Sequence, residues 1–442
     1  MNINIIGAGF AGVEAAYFLA KRGHKVNLYE MRDVKMTPAH KTAFFAEPVC
    51  SNSFKSTALD NAHGLLKKEL EELDSIIIKC AYQEKVPAGG ALAVDRESFA
   101  KRVTELISTT ENITIIRDEV RSFDAFLKKN ESLIIASGPL TSPELSKAIQ
   151  KIIGKDFLFF FDAAAPIIDA ESIDYSKAFF QSRYDKGGSD YLNCSLNQEE
   201  YYRLVEEIKN AEKTELHDFE NKRVFEGCMP IEVLAERGLE TLAFGPMKPV
   251  GITDPKTGDR AYAVLQLRQE NAGKSMFNMV GFQTRLKWSE QKRVFRMIPG
   301  LENAEFLRYG VMHKNTFLNY PEIINTEKYS LKNYSNIYFA GQITGVEGYI
   351  ESAASGLYTA YALWAGLNNK EIYFPADTML GSLQRYTMTK NKNYQPMASN
   401  FGLFGDVVLL SDKGKKLKGR DKKLKLSENA VKSLFGFKSR NL

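Results

Sequence analysis

Apolar positions along this chain change their period in a regular order. Asn2 to Ile6 reads as an apolar strand, Phe10 to Arg22 repeats at helical spacing until Gly23 stops it, and Lys25 to Tyr29 reads as a second strand. This is a βαβ unit. Met31 to Ser56 then shows little periodicity, and so long a polar loop inside a compact domain is usually functional. An amphipathic helix is predicted from Ala58 to Leu73, a helix capped by Asp95 runs through Leu106, Ile113 to Ile116 is a short strand, and Leu133 to Gly138 is a buried strand ending in glycine. From about Asp162 to Tyr320 the pattern becomes mixed, with a helix over Gln198 to Lys213. The opening pattern then returns, with Asn336 to Gln342 as a strand running into a turn and a small-residue helix from Glu351 to Leu363. The expected fold is α/β: a discontinuous Rossmann-like domain (1–165 and 326–442) with an inserted α+β domain (166–325).

The first turn narrows the chemistry. In Gly7-Ala8-Gly9-Phe10-Ala11-Gly12, Gly7 permits the tight turn, Gly9 lets the backbone approach a pyrophosphate, and Gly12 lets helix and strand pack closely. Glu30 ends the second strand about 20 residues on, where a ribose-binding carboxylate belongs. In that setting the glycines predict a dinucleotide site. Gly138 resembles the second cofactor-touching turn of two-dinucleotide flavoproteins, while Gly187-Gly188 follows no strand. A nicotinamide, if used, would visit rather than reside.

Composition fits a soluble enzyme. With 442 residues, 44% of them hydrophobic, the chain can bury a large core, and its length suggests two or three domains. The most apolar stretch, Leu158 to Ile168, is too short to span a membrane and carries Asp162. The first residues already form the nucleotide strand, so no signal peptide is expected and the location is read as cytoplasmic. The four cysteines lie far apart without a CxxC pair, which predicts free thiols and neither a metal site nor a disulfide framework. Net charge is +5, and a basic block runs from Lys413 to Lys425. It reads equally as a phosphate-neutralising segment or as a solvated tail.

Among the cysteines, Cys228 precedes Pro230, which fits the first helical position, and Gly238, which fits the stop, so a helix dipole would favour its thiolate. Cys50 lies in the long polar loop. The alternative for each is a small core residue. Cys80 and Cys194 look structural.

Pro38-Ala39-His40, Val49-Cys50-Ser51-Asn52-Ser53, Phe225-Glu226-Gly227-Cys228-Met229-Pro230-Ile231-Glu232, Gly245 to Gly251, Leu265 to Asn271 and Phe339 to Gln342 together resemble the folate- and FAD-dependent RNA (uracil-5-)-methyltransferase family. The resemblance runs from Asn2 to about Phe404. It implies FAD as cofactor, with methylenetetrahydrofolate and NAD(P)H as co-substrates, and carbon 5 of a uridine in structured RNA as the target. Methylenetetrahydrofolate carries its carbon at the formaldehyde level, so a methyl group requires two more electrons. Carbon 5 of uracil becomes nucleophilic only after a group adds at carbon 6. The resemblance makes Cys228 that nucleophile and Cys50 the base for the carbon 5 proton. It further implies that Gly341, Gln342, Gly345 and Gly348 line the FAD, that Tyr349 lies beside the isoalloxazine, and that His313 covers the pterin. Arg268 and Lys287 are read either as holding anionic folate or RNA, or as surface charges.

The T-loop of tRNA is the expected substrate, with no obligate protein partner and no membrane. The alternatives are a uridine of 23S ribosomal RNA, FAD-dependent modification of the tRNA wobble uridine with a partner subunit, and a flavin oxidoreductase unrelated to RNA.

Overall fold

Among the described residues, five parallel strands form the central sheet: β1 (Asn2–Ile6), β2 (Lys25–Tyr29), β3 (Ile113–Ile116), β4 (Ser132–Ile135) and β5 (Ile337–Phe339), in the order β5-β4-β1-β2-β3. The computed structural model describes residues 2–129, 131–185, 188–214, 229–255, 258, 260–411 and 413–442. Ile3, Ile5, Ile134 and Ile135 are wholly buried, as strands covered on both faces require. A second core, drawn from residues 168 to 304, packs on a six-stranded sheet that runs through Ala178–Phe180, Tyr191–Leu196, Ala263–Gln269, Met276–Met279, Ile167–Asp169 and Phe306–Arg308. Its neighbouring strands are antiparallel.

Two helices from opposite ends of the sequence close the parallel sheet: α1 (Phe10–Ala20) and α2 (Tyr349–Leu367). They touch almost backbone to backbone. A Cβ on Gly356 would stand 2.1 Å from the carbonyl oxygen of Ala11, and one on Gly341 would stand 2.8 Å from the Ala11 Cβ. Gly12 does the same between α1 and its own strand, since a Cβ there would meet the Gly7 carbonyl at 1.7 Å. Helix α2 starts two residues before the expected Glu351 and ends four beyond Leu363, so Tyr349 lies in its first turn. That turn is pinned by Glu351, whose buried carboxylate meets His63 Nδ1 at 2.9 Å and accepts from Ser399 N at 3.0 Å.

Other elements differ at their margins. The helix expected from Ala58 begins at Ala62, because Asn61 accepts from His63 N and caps it there. Asp95 caps its helix as expected, and Asn197 forms a capping box with Glu200 in front of Gln198–Asn210. Pro230 is the N-cap of a helix at Ile231–Glu236, one position earlier than the first helical position expected of it.

The reading of the C-terminus as a solvated tail is corrected from Gly419 onward. There the chain forms α3 (Gly419–Asn441), with Leu426, Ala430, Leu434 and Phe437 buried on one face. Phe437 packs against Phe374 at 4.9 Å and Tyr361 at 5.5 Å between ring centroids. Spacings of four, four and three residues make one apolar stripe, which the surrounding lysines hide from a composition reading.

Two tests follow from this packing. Gly356→Ala drives a methyl into the Ala11 backbone and is expected to cost about 1–3 kcal/mol in urea unfolding; an unchanged midpoint would show that the helices need no such approach. Burial alone would raise the Glu351 carboxyl, but the His63 hydrogen bond and the Lys55 charge hold it down at about 2. Its folded value lies below its unfolded one, so its stabilisation is complete above about 4.5 and is lost as pH falls toward about 2. Glu351→Gln should therefore unfold with a weaker pH dependence across that acid window, and an unaltered acid limb would contradict this.

Candidate functional site

The carboxyl ends of the parallel strands open into a cavity. Gly7 and Gly9 reach it from β1, Glu30 from β2, Gly138 from β4, and Gly341 and Gln342 from β5. The first turns of α1 and α2 complete the wall with Phe10, Ala11, Tyr349 and Ser352. Both helices thus direct their free N-terminal amides and positive dipole ends toward one space. This is an anion-binding geometry.

Three observations fit a dinucleotide there. A Cβ on Gly9 or Gly138 would meet no protein atom within 4 Å, so both glycines leave open space beside the backbone. The buried Glu30 carboxylate accepts from Ala8 N at 2.9 Å and takes both Nε and Nη2 of Arg32, at 2.9 and 3.1 Å. Burial pushes that carboxyl up, yet the Arg32 guanidinium and the backbone donors outweigh it and keep the group below its usual range. Finally, among the described residues Nη1 of buried Arg32 makes no hydrogen bond, its nearest acidic neighbour being Glu47 at 3.8 Å, and Arg32 lines the cavity. A buried donor without a hydrogen bond is costly unless a ligand meets it.

The loop that carries Cys50 leaves this wall at Val49. The Tyr349 hydroxyl accepts from Cys50 N at 2.9 Å and Ser51 N at 3.2 Å. Its ring stacks on Phe10 at 4.7 Å, with Phe54 edge-on at 5.7 Å. Burial and the neighbouring Cys50 hold the Tyr349 phenol well above its ordinary value, so it stays protonated. From the other side, Arg268 donates to Asn52 Oδ1 and Ser51 Oγ, each at 2.9 Å, and Asn52 Nδ2 donates to Val94 O at 2.9 Å and Gln269 O at 3.1 Å. Arg96 donates to Pro48 O and, at 2.8 Å, to Glu270. Arg308 is a further cation near Cys50 and Tyr349; its own affinity for a proton is lowered by burial and then by the charge of Arg96. Two cations, Arg96 paired with Glu270 and Arg308, thus stand near the half-buried Cys50.

Several expected site residues have other surroundings. Gly345 and Gly348 do not wall the cavity. A Cβ on Gly345 would strike the Tyr394 ring at 2.6 Å, and one on Gly348 would strike Glu351 Oε2 at 2.2 Å, so each makes room for a side chain of the chain itself. Gly12 serves packing. Gln342 donates to Glu347. Arg268 is buried and grips the Cys50 loop, which overturns its reading as a surface charge, whereas exposed Lys287 pairs with Glu212 at 2.6 Å. His313 stands in the strand Met312–Phe317, in register with Asp162. Cys228 lies outside the described residues. Cys80 and Cys194 are buried, and burial pushes both thiols up to about 12.

Arg32, Arg96, Glu270 and Arg308 escaped the sequence reading. Only Arg32 left a local signal, standing two residues after Glu30.

The family model described as glucose inhibited division protein A matches residues 2–371. The methylenetetrahydrofolate–tRNA-(uracil-5-)-methyltransferase TrmFO of Acetivibrio thermocellus is 54% identical over 434 residues, covering 98% of this chain and 97% of that protein. The protein of the same name from Staphylococcus saprophyticus is 53% identical, covering 99% and 98%. The crystal structure of Aquifex aeolicus GidA superposes with a TM-score of 0.69 at 16% identity, covering 98% of this chain and 72% of that one, a likeness of fold. The chain belongs to the glucose inhibited division protein A family and, within it, stands with the TrmFO proteins it matches end to end.

Proposed function

We propose that the chain methylates carbon 5 of a uridine in tRNA, taking the carbon from methylenetetrahydrofolate and the electrons from reduced FAD, with NADH or NADPH as the source of reducing power. The observation that carries this reading is identity above half over practically the whole length of relatives so named. The T-loop uridine is the finer assignment. We place the enzyme in the cytoplasm; among the described residues no helix is long and apolar enough to cross a membrane.

The FAD site we assign is the cavity between the two helix ends. Glu30 would hold a ribose hydroxyl pair, the α1 amides and the open edge at Gly9 the pyrophosphate, and Gly138, Gly341 and Tyr349 the remainder of the cofactor. Bound there, FAD supplies the two electrons that bring a methylene carbon to the methyl level. Tyr349 holds the backbone of Cys50 at the edge of that space, and Arg96 and Arg308 favour negative charge on its thiol. A thiolate so placed can accept the carbon 5 proton. We assign Cys228 the addition to uracil carbon 6, which turns carbon 5 into an enolate-like nucleophile, and His313 a contact with the folate.

Mass-spectrometric mapping of 5-methyluridine in tRNA and 23S ribosomal RNA, from cells with and without the gene, tests the substrate. The modification should disappear from tRNA alone; loss from ribosomal RNA instead, or from neither, overturns the tRNA reading. For the chemistry, Cys228→Ala and Cys50→Ala should each lower uridine methylation by about a hundredfold or more while leaving bound FAD reducible by NADPH. Full-rate methylation by either variant would remove that cysteine from the mechanism.

A further inference from the structure

The charge of the chain is concentrated in one place. Eight of its 59 basic side chains and one of its 54 acidic ones fall between Lys413 and Lys425, so the other 51 basic and 53 acidic side chains leave the rest of the molecule at −2. The segment is ordered rather than trailing. Leu417 N donates to Leu409 O at 2.8 Å and Ser411 N to Lys415 O at 2.8 Å, forming a short hairpin that leads straight into α3. Lys413, Lys415, Lys416 and Lys418 are exposed.

Helix stability does not account for this arrangement. Lys418, Arg420, Lys422 and Lys423 crowd the N-terminal end of α3, where the helix dipole is already positive and Asp421 is the one acidic residue of the first turn. Cations there work against the helix. The apolar stripe on α3 holds the element in place regardless, leaving the charge available to something outside the chain.

Two tethers link this segment to the elements packed around Tyr349. Arg420 bonds Asp60 at 2.7 Å and Ser427 bonds Leu59 O at 2.6 Å, which fixes the start of α3 to the loop after Ser53–Ser56, the strand whose Phe54 packs on Tyr349. Lys423 lies 6.0 Å over the ring of Phe401, two residues beyond Ser399, which donates to Glu351 in the turn that carries Tyr349. Both paths end at the residue that holds Cys50.

We propose that the 413–425 hairpin and helix start form a phosphate clamp for the RNA substrate, gripping its backbone while a uridine enters beside Cys50. This rests on the RNA reading given under Proposed function. Charge complementarity favours a polyanion with evenly spaced phosphates, and the tethers to the elements packed around Tyr349 favour the substrate itself.

The test compares the full-length, FAD-loaded chain with a variant carrying Lys413→Gln, Lys415→Gln, Lys416→Gln and Lys418→Gln, using an unmodified tRNA transcript as the probe. FAD content and its reduction by NADPH should match in the two proteins. The variant should bind tRNA about tenfold or more weakly, with the slope of log affinity against log salt smaller by about 3. KM for tRNA should rise while kcat holds, and replacing the same four lysines by arginine should preserve affinity. Equal affinity and equal salt slope in wild type and glutamine variant would overturn the clamp and leave the methyltransferase reading standing. No tRNA binding by the wild type would overturn both. Binding to phosphatidylglycerol vesicles that is lost in the glutamine variant, with tRNA affinity unaltered, would overturn the clamp in favour of a membrane contact.

Discussion

The contact of Gly356 with the Ala11 backbone is the constraint on which the rest of the molecule turns. Because α2 presents no side chain where Gly356 meets Ala11, α1 and α2 lie close enough for their first turns to face one cavity. The same approach brings Gly341 against Ala11 and lets its amide reach Ser355 at 2.9 Å. Residues more than three hundred positions apart therefore share a wall. Two helix ends supply amides and partial positive charge, while Arg32 is fixed between Glu30 and Glu47 with its Nη1 making no hydrogen bond among the described residues.

That scaffold also fixes the loop that carries Cys50. Tyr349 belongs to α2, so the position of the Cys50 backbone follows from where α2 begins, and α2 begins where Glu351 anchors it to His63 and Ser399. On the far side the loop is tied to the antiparallel sheet through Arg268 and through the Arg96–Glu270 pair. Buried arginines suit this task, because each guanidinium can bridge several acceptors in a fixed plane. The Cys50 loop is thus the joint between the cofactor-side sheet and the second core, and its geometry registers both.

What could be read from the residues alone was mostly local. Gly7, Gly9 and Glu30 announced themselves by spacing, since a strand, tight turn and helix permit few residue types at those points. The return of a strand and small-residue helix near Asn336 indicated the second part of the sheet. Long-range partners were another matter: Arg268 and Asn52 stand 216 positions apart, and nothing in either neighbourhood names the other. The resemblance placed Gly345 and Gly348 at the cofactor, and the sequence did not show that a Cβ on them would strike Tyr394 and Glu351. The stripe of α3 escaped for a different reason. Its apolar residues are few and sit behind a run of lysines, so charge dominated the reading.

The central claim is that one cavity, built by both ends of the fold, couples a flavin to carbon transfer onto RNA. The most direct measurement follows carbon-14 from labelled methylenetetrahydrofolate into an unmodified tRNA transcript, with purified protein either loaded with FAD or stripped of it, and NADPH present throughout. The account predicts label at uridine carbon 5 with the FAD-loaded protein and none with the stripped protein until FAD is restored. Equal labelling without FAD, or no labelling by protein that is fully loaded and reduced, would contradict it.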